Sequence, residues 1–266
     1  MKFDLHCHTK EGSFDSKVPL SEYISKYRVL GYDGFMITDH NSYKGCIKWE
    51  LMKRQRAYRD MDFTVLCGIE YDTKDAGHVL VVMPDGVYLP IFRIRGMRCR
   101  KLAKLVHRHG GILGLAHPFG IPSSSAMSFK LMTRDNILCM DFIEVFNTCE
   151  KELSNKLARE LAEKYSLPGF AGTDAHNARF IGMAATEIDY PIRCNNDLIK
   201  AVKGGASISA GGQIREETRK GRAKEMWFSQ VGYKIYNRGL GKVKMPRRKL
   251  HARKLNRGHK PFRFGG

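Results

Sequence analysis

Six of the chain's ten histidines lie at or beside the ends of short apolar segments that read as β-strands. His6 and His8 fall in Phe3-Asp4-Leu5-His6-Cys7-His8, and His40 closes Phe35-Met36-Ile37-Thr38-Asp39-His40. Glu70 follows Val65-Leu66-Cys67-Gly68-Ile69, and His78 opens Val79-Leu80-Val81-Val82. His117 closes Ile112-Leu113-Gly114-Leu115-Ala116, while Asp174 and His176 close Gly169-Phe170-Ala171-Gly172-Thr173. Side chains two apart on a strand share a face, so each His-x-His or Asp-x-His pair can grip one ion. Strand ends carrying such groups must converge to be useful. The pattern therefore predicts a multinuclear metal site at one rim of a barrel-like α/β scaffold.

A chain of 266 residues can bury the core that one such barrel needs. No apolar run approaches the length of a membrane span, and the chain opens directly on a charged, histidine-bearing strand, so a secretory signal is not expected. Seven scattered cysteines without a Cys-x-x-Cys pair argue against a disulfide framework or a zinc knuckle and suit a reducing cytoplasm. The charge is uneven. Residues 215–266 carry 17 Lys+Arg against three Glu, which is +14 of the total +19 and leaves +5 for residues 1–214.

Short apolar runs alternate with amphipathic stretches over the first 210 residues, as in βα units. Strands are expected at 2–8, 34–40, 63–71, 78–84, 111–117, 141–147, 169–175 and 206–210. Helices are expected from Pro19 to Gly31, over 44–60, over 97–109 and over 150–166. His78 precedes its strand and is expected on the loop joining 71 to 79. Segment 120–136 reads as a surface excursion beside the site. After Gly211-Gly212 the pattern changes, which divides the chain into a body, 1–212, and a basic C-terminal extension, 213–266. Arg215–Trp227 could form a basic helix, and beyond it glycines and basics alternate without hydrophobic period.

Asp4-Leu5-His6-Cys7-His8-Thr9, Ile37-Thr38-Asp39-His40-Asn41, Gly68-Ile69-Glu70-Tyr71, Ala116-His117-Pro118 and Gly172-Thr173-Asp174-Ala175-His176 together resemble the motifs of the PHP (polymerase and histidinol phosphatase) family. The resemblance covers roughly the first 210 residues. It implies a distorted (β/α)7 barrel that holds up to three divalent ions and cleaves phosphoesters. Carried over by motif, His6, His8, Glu70 and Asp174 would hold one ion, and Asp15, His40 and His176 a second. Glu70, His78 and His117 would hold the third, with Glu70 as the bridge. Glu11 rivals Asp15 for its place. Imidazole and carboxylate donors suit Mn, Fe or Zn better than Mg. The implied chemistry is attack by a metal-generated hydroxide on phosphorus, with Glu70, Asp174 and His176 as the catalytic set.

Other polar groups follow strand ends. Arg179, Asn147 and Asn41 are candidates to bind substrate, Arg179 by two parallel hydrogen bonds to a phosphate. Glu144 could orient a ligand from behind, or form a helix-facing salt bridge. Cys7 reads as core filler, His107 and His109 as helix-end residues, and His251 and His259 as solvated tail. The tail's basics interleave with Trp227, Phe228, Tyr233, Tyr236, Phe262 and Phe264 and could contact nucleic acid or an anionic surface. That tail tilts the expected substrate towards a nucleotide bisphosphate or short oligonucleotide and away from histidinol phosphate or another small phosphomonoester. Two further classes stand against this. An amidohydrolase would place a lysine at the bridge, and a non-catalytic nucleic-acid-binding protein would act through the tail alone.

Overall fold

The computed structural model describes residues 1–120 and 133–216 and the two-residue strand 262–263. Its strands are β1 (Lys2–Cys7), β2 (Gly34–Ile37), β3 (Thr64–Asp72), β4 (His78–Val82), β5 (Val87–Tyr88), β6 (Ile112–Leu115), β7 (Phe142–Asn147), β8 (Gly169–Gly172), β9 (Ala184–Ile188), β10 (Ile208–Gly212) and β11 (Phe262–Arg263). The helices are α1 (Leu20–Val29), α2 (Lys44–Met52), α3 (Arg56–Arg59), α4 (Cys99–Arg108), α5 (Arg134–Ile137), α6 (Glu152–Tyr165) and α7 (Asn195–Lys203). Nine strands form one sheet in the order β10-β9-β1-β2-β3-β4-β6-β7-β8. The sheet curls until the chain after β8 meets β1. Asp174 donates its N–H to the His6 carbonyl at 2.8 Å, and Cys7 and Ala175 form a parallel bridge. The expected seven-stranded barrel is thus nearly closed, with β9 and β10 added as an antiparallel pair beside β1.

Strand β4 runs antiparallel to both β3 and β6. An antiparallel strand begins where its parallel neighbours end, so its first residue lies at the same rim as their last ones. This corrects the expectation for His78. It is the opening residue of β4, paired with Asp72, rather than a loop residue. The helix expected over 44–60 breaks into α2 and α3, and the expectations omitted α7, β5 and β9 altogether. Of segment 120–136, residues 121–132 lie outside the described residues, as does the expected basic helix beyond Glu216. Among the described residues no helix is long and apolar enough to cross a membrane.

Two apolar layers sandwich the sheet. Outside, Tyr23, Tyr27, Phe35, Ile37, Ile69, Val79, Val81, Leu102, Val106, Leu113 and Leu115 pack sheet against helices. Inside, Phe3, Leu5, Met36, Leu66, Leu80, Val82, Ile112, Phe142 and Phe170 form one cluster with Leu198, Ile199 and Val202 of α7. Each such buried side chain contributes about 1.5–3 kcal/mol. This inner cluster fills one end of the barrel. The other end is left to the polar residues.

Two irregularities decide which residues face inward there. Between Asp4 and Cys7 the β1–β2 register shifts by one residue, three steps on β1 matching two on β2. Strict alternation would put Leu5 and His6 on opposite faces; the bulge lets both point inward. A second shift between Glu144 and Phe146 on β7 does the same for Glu144 and Asn147.

Candidate metal centre

Glu70 is the hub. It stands near the end of β3, about 1 % exposed, and its two carboxylate oxygens face different neighbours. Oε2 lies 2.9 Å from His40 Nδ1, 3.4 Å from His8 Nε2 and 3.6 Å from His6 Nε2. Oε1 lies 2.6 Å from His78 Nδ1 and 2.9 Å from His117 Nε2. Asp174 Oδ1 sits 3.1 Å from His8 Nε2, 3.7 Å from His6 Nε2 and 3.5 Å from His176 Nδ1. Asp15 Oδ2 stands 3.3 Å from Nε2 of both His40 and His176. All nine expected ligands are therefore gathered at one rim.

The rival for Asp15 is elsewhere. Both Glu11 carboxylate oxygens accept the Leu20 N–H at 3.2 Å, so Glu11 serves the start of α1.

The spacing tests whether these residues fit divalent ions. Donors about 2.0–2.2 Å from one ion stand roughly 2.8–3.6 Å from each other, according to geometry. The measured separations of 2.9–3.7 Å among His6, His8, Glu70, Asp174 and the Asp15–His40–His176 trio fall in or next to that range. Glu70 Oε2, His78 Nδ1 and His117 Nδ1 are also buried without a hydrogen bond of acceptable geometry, although the first two lie within ion-pair distance of neighbours. A buried lone pair facing other lone pairs is costly. A cation supplies what is missing, so the donor set fits a metal.

Electrostatics follow from the crowding. Burial pulls His8 down to about 3, helped by the flanking rings of His176 and His40, whose centroids lie 4.2 and 4.4 Å away. Burial also opposes charge on His6, but Glu144, Asp174 and Glu70 outweigh it and raise that ring well above its usual value. His117 is raised to about 9, the Glu70 carboxylate overcoming burial. Glu70 and Asp174 are held well below the carboxylate range despite burial, Glu70 by His78, His40 and His6 and Asp174 by His6 and His8 among others. Without ions, protons on the imidazoles take the compensating role.

Behind the donors lies a layer that fixes them. Glu144 Oε1 is 2.9 Å from His6 Nδ1, and its Oε2 accepts the His117 N–H at 2.7 Å. Glu144 thus orients two ligands at once, as a carboxylate behind a metal-bound imidazole does. Asp39 accepts from the Thr9 N–H, the Thr9 hydroxyl and the Ser13 hydroxyl, pinning the loop that carries Asp15. Burial raises the Asp39 carboxyl to about 6. Ser13 Oγ also accepts the His40 N–H and lies 3.2 Å from His8 Nδ1. Sequence reasoning missed Ser13 and Asp39; the one available signal was Asp39's place beside His40. A Cβ at Gly12 would strike Asp39, and one at Gly172 would strike His6.

The substrate-binding expectations divide. Asn147 is buried, and its amide donates to Glu144 and Asp174 while its oxygen accepts the Cys149 N–H, so it braces ligands. The Asn41 side chain accepts the Asp72 N–H and holds β2 to β3. Arg179 is exposed on the turn after His176, with its guanidinium 4.6 Å from the Phe180 ring centroid. His107 pairs with Asp141 at 2.8 Å, away from the rim.

Three of the four non-glycine residues with positive φ among the described residues, Asn41 (49°), His117 (30°) and Asp174 (50°), stand at this rim. Left-handed backbone costs roughly 1–2 kcal/mol per non-glycine residue. In an extended strand His117 would point outward, since its neighbour Ala116 belongs to the inner cluster. The turn redirects it towards Glu70.

Comparison with known proteins agrees with this geometry. The family model described as the PHP domain matches residues 4–166, and one described as PHP-associated matches residues 152–207. No curated protein matches the chain by sequence. Among solved structures, the chain is similar to PsfC from Pseudomonas syringae PB-5123 (TM-score 0.58, 18% identity, 86% of this chain and 98% of that one). It is also similar to a two-domain protein from Bacteroides vulgatus ATCC 8482 containing a predicted PHP-like metal-dependent phosphoesterase (TM-score 0.61, 15% identity, 80% and 65%). A third is Endonuclease Q in complex with a 27-mer duplex substrate bearing an abasic lesion at the active site (TM-score 0.58, 17% identity, 80% and 60%). At these identities the likeness is one of fold.

Proposed function

Since the chain belongs to the PHP domain family of metal-dependent phosphoesterases, we propose that it is a hydrolase of nucleotide phosphoesters, a nucleotide bisphosphate or a short oligonucleotide, working with up to three divalent ions. The observation that carries this reading is the convergence of six imidazoles and three carboxylates around Glu70. His6, His8, Glu70 and Asp174 would hold one ion, Asp15, His40 and His176 a second, and Glu70, His78 and His117 a third; Mn, Fe or Zn suits these donors. When bound, such ions would supply Lewis-acid charge to the phosphoryl oxygens and acidify an attacking water.

The protein's own contribution is placement. Glu144 engages His6 Nδ1, which leaves Nε2 to face the ions. Glu70 and Asp174 carry the negative charge that gathers cations at one point. Side-chain exposure rises from 0% at His6 and His8 to 21% at His40, 29% at His176 and 36% at Asp15. Substrate therefore enters on the Asp15–His176 side, where Arg179 follows in the chain and can meet a second phosphate. Glu70, Asp174 and His176 form the catalytic set in this reading. A carboxylate at the bridge, where an amidohydrolase would use lysine, favours phosphoester chemistry. Net charge of +14 after residue 214 favours a polyanionic substrate or partner, nucleic acid before an anionic surface, and seven free thiols suit a cytoplasmic setting.

The test is an activity screen of chelator-stripped protein reconstituted with Mn, Fe or Zn. It compares nucleotide bisphosphates and short oligonucleotides with histidinol phosphate and sugar phosphates. Turnover that is metal-dependent and highest on the nucleotides supports the reading. Preference for the small phosphomonoesters, or no hydrolysis of any of these substrates with any metal, overturns it.

A further inference from the structure

The chain does not leave the barrel at the end of β10. Gln213 donates its N–H to the Met183 carbonyl at 2.7 Å, Arg215 donates its N–H to the Thr148 carbonyl at 3.1 Å, and Ile214 packs on Phe146, Ala171 and Ala184. The Arg215 side chain then turns to the strand end that carries Asp174. Its Nε donates to Thr148 Oγ1 at 3.0 Å, and its Nη2 donates to the carbonyls of Thr173 and of Asp174, the latter at 3.0 Å. Thr148 Oγ1 itself donates to the Thr173 carbonyl at 2.7 Å. The guanidinium carbon stands 3.7 Å from the centroid of the Phe180 ring.

These contacts fall on a point that needs holding. Asp174 adopts φ +50°, and in that turn its carboxylate reaches His6, His8 and His176. The carbonyl that receives Arg215 Nη2 also lies 2.9 Å from His176 Nδ1, so one oxygen couples the guanidinium to two donors of the centre. The flat fork of an arginine can bond the hydroxyl and both carbonyls while its face rests on an aromatic ring; an ammonium offers a single point of charge.

We propose that Arg215 is a positioning residue of the metal centre. It locks the Thr173–Asp174 peptide in its left-handed turn and so sets the Asp174 carboxylate and the His176 ring. The inference rests on reading Asp174 and His176 as ligands. It places the end of the functional unit after Arg215 instead of at Gly212, so the root of the basic extension is part of the site.

The experiment titrates Mn²⁺ calorimetrically into chelator-stripped wild type, R215A, R215K and two truncations, after Gly212 and after Glu216, and follows ion-free thermal unfolding in parallel. We expect R215A and the shorter truncation to bind Mn²⁺ about 10–100-fold more weakly. R215K should fall between R215A and wild type, and the truncation after Glu216 should match wild type. Added guanidinium ion should restore part of the R215A loss in Mn²⁺ affinity. If R215A fails to fold without ions, R215K still decides. Wild-type affinity in R215A, or in R215K where R215A does not fold, overturns the inference alone, whatever happens to ion-free stability. A wild type that takes up no Mn²⁺ overturns the reading of the site and the inference with it.

Discussion

The two ends of the barrel interior are built from the same strands and obey opposite rules. At one end Phe3, Leu5, Met36, Leu66, Leu80, Phe142 and Phe170 interlock under α7, and Phe142 stacks on Phe170 with centroids 4.1 Å apart. None of these residues has positive φ. At the other end His6, His8, His40, Glu70, His78, His117 and Asp174 crowd lone pair against lone pair, and the left-handed residues sit among them. The apolar end stabilises the barrel; the polar end gathers left-handed backbone and crowded donors, whose lone pairs imidazole protons compensate without ions and bound cations would compensate in their place. Strand continuity lets the first hold the second in place.

The largest effect expected from breaking this contrast is at the polar end. His6→Ala removes a donor on the Glu70–Asp174 side, and the loss of ion-derived stabilisation, worth several kcal/mol, should cut hydrolysis by about 1,000-fold or more. Ion-free thermal stability measured beside activity should change far less. An unfolded H6A would remove the contrast.

At the apolar end, Phe142→Ala should destabilise the protein by about 3–5 kcal/mol in denaturant titrations. Metal affinity of the molecules that stay folded should be unchanged, because the site's donors lie beyond the cavity created. Coupled loss of affinity would show that the ends are not separable.

A pH series sharpens the same contrast with a sign. Without ions His117 titrates near 9, above the usual 6.5. A metal must displace that proton, so Mn²⁺ affinity should climb from pH 6.5 to 9 by up to about tenfold per unit and then flatten. The ion-free protein should show the reverse trend from this group. A raised folded value stabilises fully below 6.5 and loses that contribution as pH rises through 9. Parallel slopes, or a flat affinity, would contradict the assignment.

The smallest effect separates two acids. Asp15→Asn should weaken Mn²⁺ binding, whereas Glu11→Gln should cost only about 0.5–1 kcal/mol of stability through the start of α1 and leave binding alone. Equal effects in a calorimetric titration would undo the choice between them.

How much of this was legible beforehand depends on whether the signal is local. A ligand ending a parallel strand announces itself, and His6, His8, His40, Glu70, His117, Asp174 and His176 were all readable in that way. His78 was misplaced because an antiparallel strand reaches the rim with its first residue, and strand direction is not written in the strand. The inward turn of both Leu5 and His6 depends on a bulge set by pairing with β2. Strand β9, with Ala184, Ala185 and Glu187, has little β character, and α7 is short and capped by Asp85 from far along the chain. Ser13, Asp39 and Arg215 act through partners remote in sequence, whereas Glu144 was readable from its place within the apolar run of β7. Asn41 and Asn147 follow strand ends near the ligands, which suggests substrate contact; their hydrogen bonds to Asp72 and to Glu144 and Asp174 depend on pairing that the sequence does not show.

Glu70 touches five of the six clustered imidazoles, so the most direct measurement is metal stoichiometry by equilibrium dialysis and mass spectrometry, wild type against Glu70→Gln. The account predicts two or three Mn²⁺ per wild-type chain and at most one in E70Q, with the variant still folded. One ion or fewer in the wild type, or an unchanged count in E70Q, would contradict it.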